Sequence, residues 1–269
     1  KAGGLREFTK TDLNFFSDSG GFQMISDVFL ESINERGLKL RSPYDKKVHL
    51  ITPEKSMEIQ SELNADVVMC LDYMPRYGDK RKDIERSVEL TYRWAKRCKE
   101  NYTGEGKLFG IIQGGVYKDL RKKSAELITS LDFDGYGIGG LGIGENKKEM
   151  FDAVENILGL LPKNKPRYLM GIGSPEDVKK AVKIGVDIFD SAYPTRVGRH
   201  GLVFTSDGNL ELDKKIFRND FSKIYDKCEC DTCKSFSRAY IHHLIKIKEP
   251  LAKRLMSMHN LEFMKKLVG

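Results

Sequence analysis

The chain has 269 residues, 40% of them hydrophobic and 32% charged, which supplies a sizeable core and excludes a disordered segment. Lys and Arg number 46 against 39 Asp and Glu, and the formal net charge of +7 leans weakly toward an acidic partner such as nucleic acid. No apolar run approaches the roughly 20 residues that a membrane helix needs and no signal peptide opens the sequence, so a cytoplasmic protein with no membrane partner is expected.

In chain order, residues 14–18 read as a first strand that ends on Asp18. Residues 38–40 and 48–51, joined through Ser42-Pro43-Tyr44-Asp45, predict a hairpin. Thr52-Pro53-Glu54 then offers a capping hydroxyl, a proline at the first helical position and an acid in the first turn. A strand follows at 67–72. Over 82–101, Ile84, Val88, Thr91, Ala95 and Cys98 recur at spacings of 4, 3, 4 and 3, which puts them on one buried helical face. Further strands are expected at 108–113, 135–139, 167–171 and 187–190, with a helix opening at Ser174-Pro175-Glu176-Asp177. Residues 201–205 read as a seventh. A Ser206-Asp207-Gly208-Asn209 turn and a cysteine cluster come next, then helices from about Ser235 to Val268, interrupted at Pro250.

Strand–helix alternation implies the α/β class, a parallel sheet covered by helices. Seven strands fall one short of a (β/α)8 TIM-type barrel. The chain opens on Lys1 and not on Met, so a truncation that removes the first strand is expected. The alternative, an open doubly wound sheet, lacks a G-x-G-x-x-G after an early strand. Residues 1–200 are expected to form the barrel, and 201–269 its last strand, a small metal-stapled subdomain and the terminal helices.

Polar groups fall at one place in the repeating unit. Asp18, Asp72, Gln113 and Asp190 sit at or just beyond the C-terminal ends of strands, the face on which barrels build active sites. Any one such acid is more often a helix cap, but three acids and an amide are harder to dismiss. Ser19-Gly20-Gly21, Gly114-Gly115 and Gly139-Gly140-Leu141-Gly142 surround them, and glycine lets peptide N–H groups approach a flat ligand. Phe22 and Met170, also at strand ends, suit either the two faces of a planar base or ordinary core packing.

Cys70 and Cys98 lie in apolar contexts and read as core residues, whereas Cys228, Cys230 and Cys233 form a tight C-x-C-x-x-C cluster. A metal site in a reducing compartment explains this better than disulfides. A fourth ligand is needed for tetrahedral zinc, and spacing alone leaves His242, His243 and His259 as candidates.

Ser17-Asp18-Ser19-Gly20-Gly21-Phe22-Gln23, Ile112-Gln113-Gly114-Gly115, Gly139-Gly140-Leu141, Tyr168-Leu169-Met170-Gly171 and Phe189-Asp190 with Pro194-Thr195-Arg196 occur in order along the whole chain. Together they resemble tRNA-guanine transglycosylase, the bacterial type more than the archaeal, which carries further C-terminal RNA-binding domains. The resemblance implies exchange of the wobble guanine of certain tRNAs for a 7-deazaguanine, in queuosine biosynthesis. It implies Asp190 as nucleophile on the ribose anomeric carbon, through a covalent ester, and Asp18 as general acid/base. It makes Asp72, Gln113, Gly140, Leu141 and Ser19 base-binding residues, and Phe22 and Met170 a stacking pair. Arg196, Arg199 and His200 resemble contacts to the anticodon loop, where RNA is read with its bases splayed out. The C-x-C-x2-C-x25-H spacing that ends at His259 matches the family's structural zinc site, one Zn2+ per chain, and leaves His242 and His243 as ordinary helix residues. A homodimer with the zinc subdomain at its interface is implied as well.

Two stretches depart from the bacterial pattern: Asp72-Tyr73-Met74-Pro75 stands for Asp-Glu-Cys-Thr-Pro, and Asp190-Ser191-Ala192-Tyr193-Pro194 for Asp-Cys-Val-Leu-Pro. The acids survive, while the neighbours that bear on the incoming base change. Ile143, where queuine-using eukaryotic enzymes place glycine, crowds a large 7-substituent and favours 7-aminomethyl-7-deazaguanine. Other readings are a queuine-salvaging enzyme or a silent, tRNA-binding partner subunit of the same family, against which Asp190 argues. An unrelated metal-dependent barrel hydrolase is a further alternative, but no histidine occupies a strand end.

Overall fold

A computed structural model describes residues 3–21 and 29–268. Short β-rich runs become strands: β1 Phe16–Ser17, β2 Leu30–Asn34, β3 Gly37–Arg41, β4 Val48–Ile51, β5 Val67–Met69, β6 Lys107–Ile112, β7 Gly135–Ile138, β8 Arg167–Leu169, β9 Ile188–Phe189, β10 Leu202–Thr205 and β11 Gly208–Glu211. One sheet takes the order β1-β5-β6-β7-β8-β9, and the pairs from β1 to β8 run parallel. Helices Pro53–Leu63, Arg81–Asn101, Lys118–Thr129, Lys147–Leu158 and Pro175–Ile184 fall between successive strands. Parallel neighbours need such crossovers. Within this sheet each strand lies beside the next of its own strands along the chain, which is the barrel order; a doubly wound sheet would reverse direction part-way.

The chain packs as two units, Lys1–Met170 with Ile184–Ile188, and Gly171–Lys183 with Phe189–Gly269. The division expected at residue 200 falls inside the second.

In the first unit, Met69, Phe109, Ile111 and Tyr168 form a buried cluster, and Phe16 meets Phe109 and Tyr168 edge-on at 6.4 and 5.9 Å. The expected face of Arg81–Asn101 is buried throughout, with Cys98 at its end. Trp94 joins that face, and its Nε1–H donates to the Glu35 carbonyl at 3.0 Å. The predicted hairpin pairs Leu38 with Ile51 and Leu40 with His49, and β2 extends it to three antiparallel strands. Thr52 caps its helix as its position suggested, accepting from the Lys55 N–H at 3.2 Å.

The second unit corrects one expectation. Residues 201–205 are no seventh parallel strand: β10 pairs antiparallel with β11, closed by the Ser206-Asp207 turn. Two residues between short extended runs make a local hairpin, which forms without a long-range partner. Around it pack Asp231–Ser235, Arg238–Lys246 and Pro250–Val268, with Val203, Leu212, Ile224, Ile241 and Met256 buried between them.

Candidate active site and metal centre

Parallel strands deliver their C-terminal ends to the same edge of a sheet, so residues just past β1, β5, β6, β7 and β8 gather there. Asp18 follows β1, Asp72 lies three residues past β5, Gln113 follows β6, Gly139-Gly140-Leu141 follows β7 and Met170 follows β8. Gln113 Nε2–H donates to Asp72 Oδ2 at 2.6 Å, and both side chains are buried. Burial first, and the negative charge of Asp18 second, push the Asp72 carboxyl up to about 7, against hydrogen bonds from Gln113 and Ser19 that lower it. Asp18 is exposed and accepts the Ser19 N–H at 2.8 Å; Ser19 Oγ in turn accepts the Gly21 N–H at 3.2 Å.

Glycine is required here by contact. A Cβ on Gly21 would lie 2.9 Å from the Asp72 carbonyl oxygen. Gly140 has φ of +64°, and a Cβ there would lie 2.3 Å from Gln113 Oε1. That Oε1 is buried and, among the described residues, has no hydrogen-bond partner, so it keeps its acceptor capacity beside Gly140. Met170 Sδ stands 3.6 Å and Met74 Cγ also 3.6 Å from the Cβ positions of Gly139 and Gly140, respectively. Phe22 lies outside the described residues.

In the second unit, Asp190 directly follows β9, and its exposed carboxylate accepts the Gly171 N–H at 2.7 Å through Oδ1. Ser191 Oγ accepts the Tyr193 N–H at 3.1 Å, which fixes the turn into Tyr193–Arg199. Arg196 and Arg199 are exposed on that short helix, with the Arg196 guanidinium 5.8 Å from the Tyr193 ring centre.

The Cys228, Cys230 and Cys233 sulfurs and a His259 ring nitrogen lie within 4.8 Å of one another. His259 Nδ1 is 3.7 Å from Cys230 Sγ and 3.3 Å from Cys233 Sγ. Its Nε2 lies 2.8 Å from the Phe204 carbonyl, so that nitrogen carries the proton and Nδ1 keeps a lone pair toward the sulfurs. Burial lowers the His259 pKa, which keeps the ring neutral, as a ligand must be. Burial, with Cys230 and Cys228 beside it, pushes the Cys233 thiol up to about 12, so three thiolates coexist here only around a cation. His242 turns away, with Nδ1 2.8 Å from the Leu212 carbonyl, and His243 is exposed. Bond lengths of about 2.3 Å to sulfur and about 2.0 Å to nitrogen fit a tetrahedral ion among ligands this far apart.

The family model for queuine tRNA-ribosyltransferase matches residues 1–269. The chain belongs to that family. It is 48% identical to the queuine tRNA-ribosyltransferase of Halothermothrix orenii, over 100% of this chain and 72% of the relative. It is 47% identical to that of a Thermoanaerobacter species over the same shares, and 45% identical to that of Acinetobacter baylyi over 98% and 70%. Membership makes the chain a transferase of the tRNA-guanine transglycosylase kind. Sequence reasoning passed over two charged residues that hold the loops around these groups, Glu145 and Arg121. The Glu145 carboxylate accepts the Gly142 N–H and, at 3.2 Å, the Ile143 N–H. Arg121 is fully buried, and burial lowers its pKa to about 9. The i,i+3 spacing from Gly142 to Glu145 was a readable turn signal; Arg121 on an amphipathic helix gave none.

Proposed function

We propose that the protein exchanges the wobble guanine of tRNA for 7-aminomethyl-7-deazaguanine through a ribosyl-aspartate ester. The buried Asp72–Gln113 pair, held at 2.6 Å against Gly21 and Gly140 and near the Asp18 charge, carries this reading. Guanine offers donors at N1 and its exocyclic amine and an acceptor at O6. A carboxylate and an amide held edge to edge suit that pattern, with Ser19, Gly140 and Leu141 completing the edge and Phe22 and Met170 the faces. In the first half, an Asp190 carboxylate oxygen attacks the anomeric carbon, the bond to N9 breaks, and Asp18 delivers a proton to the leaving ring nitrogen. In the second, Asp18 takes the N9 proton of the incoming base, N9 attacks the same carbon, and the Asp190 carboxylate leaves. Two displacements retain configuration. Arg196 and Arg199, exposed beyond Asp190, suit phosphates or bases that flank the wobble nucleotide.

Cys228, Cys230, Cys233 and His259 would hold Zn2+, which supplies a structural crosslink; four protein ligands leave no position for substrate. Cytoplasmic location and a homodimer complete the proposal, the latter to be checked by light scattering, where a fully active monomer would remove it. Among the described residues no helix is long and apolar enough to cross a membrane.

Asp190→Asn keeps the side chain's shape and removes the nucleophile. The wild type is expected to form a denaturant-resistant adduct with guanine-wobble tRNA, and the variant to bind tRNA without forming one. An undiminished adduct in the variant would overturn the assignment. Running wild-type exchange with both bases tests the preference: crowding at Ile143 predicts a roughly 10- to 200-fold higher kcat/KM for the aminomethyl base over queuine.

A further inference from the structure

We propose that Arg121 is a positioning residue for the base pocket, its guanidinium fastening the two loops that carry Gln113 and Leu141. The inference rests on the reading of those groups as the purine-binding edge. Arg121 lies on Lys118–Thr129, the helix after β6, and has no exposed surface. Its Nε–H donates to the Gly115 carbonyl at 2.6 Å, Nη1–H to Ile112 at 3.0 Å and Nη2–H to Gly140 at 3.3 Å. Ile112 and Gly115 bracket Gln113, whose own N–H donates to Ser124 Oγ of the same helix at 3.0 Å. A Cβ on Gly114, between them, would lie 2.7 Å from the Arg121 backbone nitrogen, so the loop is pressed onto the helix. The third bond crosses to the next loop. Because the peptide is trans, holding the Gly140 carbonyl toward Arg121 turns the Leu141 N–H the opposite way.

Stability does not account for this residue. All three acceptors are neutral carbonyls, and the attraction of the nearby Glu145 carboxylate only partly offsets burial, which still lowers the Arg121 pKa to about 9. A buried cation that forms no hydrogen-bonded ion pair is costly where an apolar side chain of similar volume is not. What a guanidinium adds is a rigid planar fork that reaches three acceptors at once, which a lysine ammonium on a flexible stem cannot reproduce.

The test uses the full chain with Arg121→Lys and Arg121→Met. Guanine exchange is read as separate KM values for guanine and for tRNA, alongside kcat, thermal unfolding and amide hydrogen exchange over residues 112–116 and 140–144. Losing charged hydrogen bonds to the loops should raise KM for guanine roughly 10- to 100-fold in both variants and leave KM for tRNA unchanged. Amide exchange should quicken in those two loops and nowhere else in the first unit. An unchanged guanine KM, a loss confined to kcat in proportion to the folded fraction, or quickened exchange spread over the whole unit would overturn the proposal. So would failure of both variants to fold, which would make Arg121 a structural residue. If the wild type exchanges no guanine, the transglycosylase reading falls by itself, and the amide pattern still decides whether Arg121 sets these loops.

Discussion

Asp72 is buried beside a second acid, and both facts act on its proton. In the fold its carboxyl titrates at about 7, raised first by burial and then by Asp18, against an ordinary value of 3.8. Between those two values the folded protein keeps a proton that the unfolded chain has released. Stability therefore falls as pH rises through that interval and levels off above about 7. A gap of this size corresponds to on the order of 4 kcal/mol. Asp72→Asn keeps an oxygen for the Gln113 N–H and never ionises, so the variant should match the wild type at the acid end and exceed it at about pH 8. Urea unfolding across that range measures it; a variant that keeps the wild-type slope would trace the pH dependence to another group. Legibility differs sharply from residue to residue here. Asp18, Asp72 and Gln113 were readable because each ends an apolar run, Asp18 and Gln113 beside glycines. Arg121 was not, because its partners are backbone carbonyls brought to it by the fold, and carbonyls leave no mark on a sequence.

Elements were legible where their signals are local. Thr52 and Pro53 mark a helix start by hydrogen bonding within one turn, and the face from Ile84 to Cys98 by a period of 3.6. β2 was missed because Leu30–Asn34 leaves most of its side chains exposed and shows no clean alternation. β10 was assigned to the wrong sheet because an apolar run says nothing about its partner. What holds that hairpin is a side chain from far along the chain. Asn260, on Pro250–Val268, accepts the Phe204 N–H at 3.0 Å and donates to the carbonyls of Pro194 at 2.9 Å and Leu202 at 3.0 Å. Asn260 has no exposed surface, so Asn260→Ala strands one buried N–H and two carbonyls. The expected cost is about 3 kcal/mol, read as a lower denaturation midpoint with the metal still bound. Loss of less than about 1 kcal/mol would mean that water replaces the amide.

At the scale of the whole molecule, two packing units with separate cores raise the question of whether they unfold together. The metal cluster lies wholly in the second, where it ties the Cys228–Cys233 loop to the long terminal helix through His259. His259 also reaches β10 through the Phe204 carbonyl, so removing the ion releases the loop, the helix and the hairpin from one another. A structural ion contributes its binding free energy directly to folding, because the unfolded chain has no preformed site. Chelation should therefore lower the melting temperature of the second unit and leave that of the first nearly unchanged, splitting one calorimetric transition into two. His259→Ala should do the same without chelator and hold less than stoichiometric metal. Metal retained in His259→Ala but lost in His242→Ala would move the fourth ligand to His242. One transition that shifts as a whole under chelator would show that the units fold as a single cooperative block, with the ion stabilising both.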